Sequence, residues 1–231
     1  MRKHFLAEFV GTFALVFVGG GAIMMAQHTG NPAGLLQIAI AHGLILALMV
    51  SASMNVSGGH LNPAVTTALL VARRITPTIA GVHILAQLIG ALAAAWTLKM
   101  TMPSAVFDAT MGGGQSIALD VTMAQAIMLE AIATFFLMFV IYGTAVHVNA
   151  PRIGGLAIGL TIAADILAIG PLTGASMNPA RSLGPAIASG VLAGQVVYWI
   201  GPIIGAIAAA MLWEFGLLRG EPAPAKPEKT M

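Results

Sequence analysis

The chain has 231 residues, of which 58% are hydrophobic and 8% charged, with 27 Gly and a formal net charge of +2. A soluble domain carries about a quarter charged residues, so this composition is that of a membrane protein. The absence of Cys rules out disulfides and thiol chemistry, and the scattered basic residues form no clustered face or aromatic platform, which excludes nucleic acid as a partner.

Six apolar stretches follow one another: Phe5 to Gln27, Leu35 to Met54, Thr78 to Met100, Thr122 to His147, Gly154 to Gly170 and Leu192 to Leu218. Most are near the ~20 residues that carry a helix across hydrocarbon. The first follows Arg2-Lys3-His4 and is read as a retained span. It is too long for the apolar core of a signal peptide, carries Glu8 and lacks a clear small-residue cleavage site. Between the second and third spans lies SGGHLNPAV (Ser57 to Val65), and between the fifth and sixth TGASMNPAR (Thr173 to Arg181). Each reads as a Gly-rich turn followed by a helix start, with Asn62 or Asn178 as N-cap and Pro63 or Pro179 at the first helical position, before Ala64 or Ala180. Neither is long enough to cross a bilayer. Gly112-Gly113-Gly114, ahead of the fourth span, lacks the Lys-Ser/Thr of a phosphate cradle and reads as a flexible loop. One membrane domain is expected, residues 1–218, with 219–231, where Pro222, Pro224 and Pro227 stand among Glu and Lys, a disordered tail on the side of the termini.

Six spans put both termini on one side. Arg2, Lys3, Arg73, Arg74, Arg152, Arg219, Lys226 and Lys229 all fall on that side and Lys99 alone on the other, so the positive-inside rule makes both termini cytoplasmic in a multi-pass protein expected in the cell's inner (plasma) membrane.

EFVGTFALVF (Glu8 to Phe17) and EAIATFFLMF (Glu130 to Phe139) share Glu, Thr, Phe, Leu and Phe at equal offsets, which reveals a duplication with repeats at about 4–100 and 122–218. Three spans per copy invert the second copy relative to the first. Two half-helices then dip in from opposite faces, and irregular backbone at that depth must be buried or line a watery cavity. Converging N-termini, each carrying about half a positive charge, repel cations and protons. Asn62 and Asn178 are expected to cap with their oxygens and turn their N–H groups to the lumen.

With two Asn-Pro-Ala half-helices in an inverted repeat and Arg181 directly after the second, the chain resembles a bacterial member of the aquaporin, or major intrinsic protein, family over residues 4 to 218. The resemblance implies an all-α membrane fold of six transmembrane helices plus two re-entrant half-helices, assembled as a homotetramer in the lipid bilayer. It also implies a constriction near the extracellular mouth. By spacing from the two Asn, that filter comprises His42, Ile166, Ala175 and Arg181. Ile166 and His42 stand where strict water channels of the family carry His and Phe. The trio His42, Ile166 and Ala175 is similar to the filter of the plant tonoplast intrinsic proteins, whereas GPLTGASMNPARSLGPAI is closer to the nodulin-like intrinsic proteins. Ser182, Ala186 and Tyr198-Trp199 lean toward water.

The expected function is a passive channel for water and small uncharged solutes such as ammonia, glycerol, urea and hydrogen peroxide, closed to protons and ions. The alternatives are a glycerol facilitator with water secondary, or a secondary transporter, which shares inverted repeats and broken helices. Midplane motifs offering only Asn, Pro, Ala and backbone argue against coupled transport. No nucleophile with its base and no His or carboxylate cluster at ligand spacing stands in the sequence, so no enzyme, cofactor or metal is expected.

Glu8 and Glu130 occupy matching positions; in the family such carboxylates scaffold the re-entrant turn, the competing role being a proton relay. His60, two residues before Asn62, resembles the loop His that faces the cytoplasmic vestibule, and His83 reads as a core side chain. His42 is expected neutral, donating to water or a neighbour, or else as a pH gate. Asp165, as possible filter support, is expected against the Thr173 to Met177 turn accepting its N–H groups, or as a rim carboxylate pairing with Arg181 or His42.

Overall fold

The computed structural model describes residues 1–31 and 34–218, and all regular structure among them is helical. The helices are α1 (Arg2–Thr29), α2 (Gly34–Ser57), α3 (Pro63–Val71), α4 (Pro77–Thr101), α5 (Ser104–Ala109), α6 (Met123–Ile141), α7 (Gly154–Thr173), α8 (Pro179–Ser189) and α9 (Val197–Leu212). Single π-turns extend α6 over Tyr142–Val146 and α9 over Trp213–Leu217. Six of these rods, α1, α2, α4, α6, α7 and α9, are long and apolar enough to cross a membrane. The sixth begins at Val197, five residues later than the apolar run at Leu192, because residues 193–196 form a turn. The predicted tail, 219–231, lies outside the described residues.

Local chemistry sets the helix ends. Thr76 caps α4 ahead of Pro77, and Thr122 with Gln125 forms a reciprocal capping box on α6. Gly30 and Gly174 end α1 and α7 in the left-handed conformation. Leu44, Leu48, Leu160 and Ile204 are more than half exposed on the outer surface, as side chains meeting lipid are.

Within each repeat the spans pack as triplets: α1 lies against α2 and α4, and α6 against α7 and α9. The halves join where α2 meets α7. There a methyl on Gly43 would sit 2.7 Å from the carbonyl oxygen of Gly159, and one on Gly159 would clash with that of Gly43. Backbone approach at small residues is how helices adhere in a solvent as apolar as themselves. The half-helices are exchanged between halves, α3 resting on α9 and α8 on α4.

Candidate functional site

The site begins at two capped half-helices. Asn62 (φ −155°, ψ 119°) accepts the Ala64 N–H at 2.8 Å, and Asn178 (φ −151°, ψ 110°) accepts Ala180 and Arg181 N–H at 3.0 and 3.2 Å. The residue ahead of each is left-handed, Leu61 at φ 50° and Met177 at φ 51°, which costs a non-glycine residue on the order of 1 kcal/mol or more.

Both backbone groups of these strained residues are held. The Leu61 N–H donates to Glu8 and the Met177 N–H to Glu130, each at 2.7 Å. Their carbonyls accept crosswise: Asn62 Nδ2 donates to Met177 O at 2.7 Å and Asn178 Nδ2 to Leu61 O at 2.8 Å. This corrects the sequence reading, which turned both amides wholly to the lumen. One N–H of each closes the opposite turn, and one remains for the cavity that both Asn line.

Glu8 and Glu130 carry the turns from below, and both are fully buried. Glu8 accepts from Ser57 hydroxyl (2.6 Å), the N–H groups of His60 (3.0 Å) and Leu61, and Gln87 Nε2 (2.7 Å). Glu130 accepts from Thr173 hydroxyl (2.8 Å) and the N–H groups of Ser176 (2.9 Å) and Met177. Gln87 of α4 and Tyr198 of α9, whose hydroxyl donates to Thr173 O at 2.8 Å, complete the two cradles from the third span of each repeat.

At the far end of the cavity, Arg181 Nη1 donates to Gly113 O at 3.2 Å and Nη2 to His42 Nε2 at 3.0 Å, while His42 Nδ1 lies 2.8 Å from Ile38 O. A carbonyl only accepts and a guanidinium only donates, so His42 is the neutral tautomer with its proton on Nδ1. Both ring nitrogens are engaged, and the expectation that His42 donates to water is corrected. Gly19 makes room for the ring, since a methyl there would clash with Nε2. Ile166 and Ala175 line the same end. Gly112-Gly113-Gly114 is no loose loop: residues 111–113 form a 3₁₀ turn packed on Phe107 and Gly20, and this turn presents the carbonyl that holds Arg181.

Asp165 departs from both expectations. The N–H groups of Ser176 and Met177 are taken by Glu130, Arg181 and His42 bond elsewhere, and Asp165 Oδ2 is buried without a partner. The α7 register turns Ile158, Ile162 and Ile166 to the cavity, one helical turn apart, and puts Asp165 beside that stripe.

At the other end, His60 lines the cavity and lies against His83. Arg74 there makes a two-pronged ion pair with Glu214, at 2.6 and 3.1 Å, and Tyr142 hydroxyl donates to the same carboxylate at 2.8 Å. That carboxylate holds the Arg74 guanidinium above its ordinary pKa range by hydrogen bonding.

A single cavity of about 350 Å³ runs from Arg74 and His60 past Asn62 and Asn178 to His42 and Arg181, room for on the order of ten waters. Its side walls, including Leu46, Val50, Leu137 and Ile158, are apolar. Among the described residues, no group of three or more His, Cys, Asp or Glu is placed to hold a metal ion.

Sequence reasoning missed Gly19, Gly113 and Gln87, whose partners are remote in the chain. It also missed a third Asn-Pro-Ala, at 31–33, of which residues 32 and 33 lie outside the described residues. Thr29-Gly30 precedes it too, so the separating signal is its place: it falls in the few residues between the apolar runs Phe5 to Gln27 and Leu35 to Met54, which leave no room for a half-helix.

The family model described as Major intrinsic protein matches residues 1–213. The chain is 42% identical over 226 residues to the probable aquaporin TIP3-2 of Arabidopsis thaliana, covering 92% of this chain and 83% of the relative. It is 41% identical over 219 residues to aquaporin TIP2-1 of the same plant, covering 91% and 86%. Among solved structures, that of the aquaglyceroporin from Plasmodium falciparum aligns with a TM-score of 0.79 at 24% identity, covering 94% of this chain and 96% of that one.

Proposed function

The chain belongs to the major intrinsic protein family, whose members are membrane channels and not enzymes, and on that premise we propose a pore that conducts water first and small uncharged solutes second while refusing protons and ions. One observation carries the reading: two half-helix N-termini are clasped by the Asn62 and Asn178 bonds in the wall of one continuous cavity. Each N-terminus brings about half a positive charge, and the free amide N–H groups require a passing molecule to accept. A neutral hydroxyl, water or carbonyl meets both demands, and a cation meets neither.

The filter assignment rests on the far end. Arg181 is 4% exposed, with a fixed charge and donors to spare beyond its two bonds. Ile166 and Ala175 add apolar, small walls, which supports passage of solutes somewhat larger than water. Asp165 is assigned no contact with the permeant. We place the chain in the plasma membrane, where the distribution of Arg and Lys supports cytoplasmic termini, and as a homotetramer by family likeness, which cross-linking in membranes tests.

The deciding experiment is proteoliposome swelling with water, glycerol, urea, ammonia and hydrogen peroxide, for the parent chain and for His42→Phe with Ile166→His. Water passage that tightens against the other solutes in the double variant is expected. Glycerol outpacing water would make the chain a facilitator, and saturable uptake coupled to an ion gradient would make it a transporter.

A further inference from the structure

We propose that Glu214 is a positioning residue that pins Arg74 to the wall of the pore mouth on the side of the chain termini, and that this pin keeps the mouth open, a role that rests on the channel reading. Arg74 lines the cavity at that end, in the same wall as Ile75, Ala145 and Val146. Its Nε and Nη2 donate to the two oxygens of Glu214 at 2.6 and 3.1 Å. Glu214 stands on the π-turn that ends α9, 140 residues from its partner. A guanidinium thus marks each end of the cavity: Arg181 is fixed by a carbonyl and an imidazole, Arg74 by a carboxylate.

Both ends of the pin are anchored, and only the Arg74 side chain is free to move. Arg73 is left-handed at φ 58°, and the N–H groups of Arg73 and Arg74 return to Leu70 O at 3.0 Å and Leu69 O at 2.9 Å, which closes α3 and fixes the Arg74 backbone. The carboxylate is held from behind. Tyr142 hydroxyl donates to it at 2.8 Å, the Tyr142 ring lies 6.0 Å from that of Trp213 at an angle of 20°, and Trp213 Nε1 donates to Phe139 O at 3.1 Å. A fixed acceptor therefore selects one position of a long, flexible cation.

Among the described residues no other carboxylate competes for Arg74. Glu8 already accepts from Ser57, His60 N–H, Leu61 N–H and Gln87. Glu130 holds the second re-entrant turn, Asp165 lies beside Ile166, and Asp108 and Asp120 belong to the connection between α4 and α6 on the opposite side. Without Glu214 the guanidinium keeps five N–H donors beside an apolar wall, so it turns to water, and the water next to it fills the mouth. There it takes up cross-section and retains the waters it binds. The two side chains are 32% and 19% exposed, and an ion pair of that kind shifts a two-state ratio by up to about fivefold. The pinned share then falls from about five in six to about one in two, which is close to a twofold loss of open mouths.

The test is stopped-flow water permeability in proteoliposomes at matched protein content. Glu214→Gln, which keeps the shape and removes the charge, should slow water about twofold. Arg74→Gln, which breaks the same pair from the other side, should be no slower than the parent, and the double variant should return to the parent rate. A pair that merely tied α3 to α9 would behave differently: either single substitution would slow passage alike, and the double would not recover. Equal slowing in the two single variants overturns the pin, as does a double variant as slow as Glu214→Gln, or a Glu214→Gln rate equal to the parent's. Should Glu214→Gln fail to reconstitute, Glu214→Ala with and without Arg74→Gln is read by the same rule. A parent chain no faster than empty liposomes overturns the channel reading instead.

Discussion

Replacing Glu130 by Gln separates a scaffold from a proton relay. The carboxylate takes Thr173 hydroxyl, Ser176 N–H and Met177 N–H within 2.9 Å and has no exposure to solvent. A Gln oxygen keeps two of these donors at most, and its NH₂ then faces the third. Bonds to an ionised acceptor contribute about 1.5–3 kcal/mol each and neutral ones about 0.5–1.5, so two weakened bonds cost about 2 kcal/mol together, and the orphaned N–H adds about 1–3. The sum, about 3–5 kcal/mol, corresponds to a melting temperature lower by about 6–20 °C in a chain of this size. The measurement is thermal unfolding of the detergent-solubilised protein, paired with pH-dye flux in liposomes. A melting temperature within about 2 °C of the parent, together with altered proton flux, would refute the scaffold argument.

Other substitutions probe neighbouring contacts. Gly19→Ala drives a methyl into the His42 ring; overpacking of about 1–3 kcal/mol is expected, and stopped-flow light scattering should record slower water passage as the His42–Arg181 bond shifts. Asn62→Ala removes a cap and leaves Met177 O unpaired, about 2–4 kcal/mol together, and Asn178→Ala should match it within about 1 kcal/mol in the same melt. Arg74→Gln removes a conspicuous ion pair, but its side chains are 32% and 19% exposed; about 1 kcal/mol or less is expected, seen as a melting shift under about 4 °C.

The spans, the half-helix starts and the duplication were legible because each is written in consecutive residues: apolar runs of membrane length, Asn followed by Pro, and two similar decapeptides. The carboxylate cradles could be anticipated from symmetry, since two irregular turns need two acceptors. What the sequence withheld is pairing across the fold. Arg181 meets His42 at a separation of 139 residues and Gly113 at 68, and no local periodicity reports such a contact. Asp165 misled for the same reason: its place beside Ile166 suggested a partner, and the donors it was assigned had already been taken by Glu130.

The reciprocal bonds between Asn62 and Met177 and between Asn178 and Leu61 bear on how the protein is made. When the first repeat leaves the ribosome, the carbonyl of Leu61 has no partner, because its donor lies 117 residues downstream. The bed on which α3 will rest, α9, is later still. A nascent chain that stops after α4 thus holds three anchored spans and an unfinished entrance, so the permeation route comes into being as a late event of synthesis.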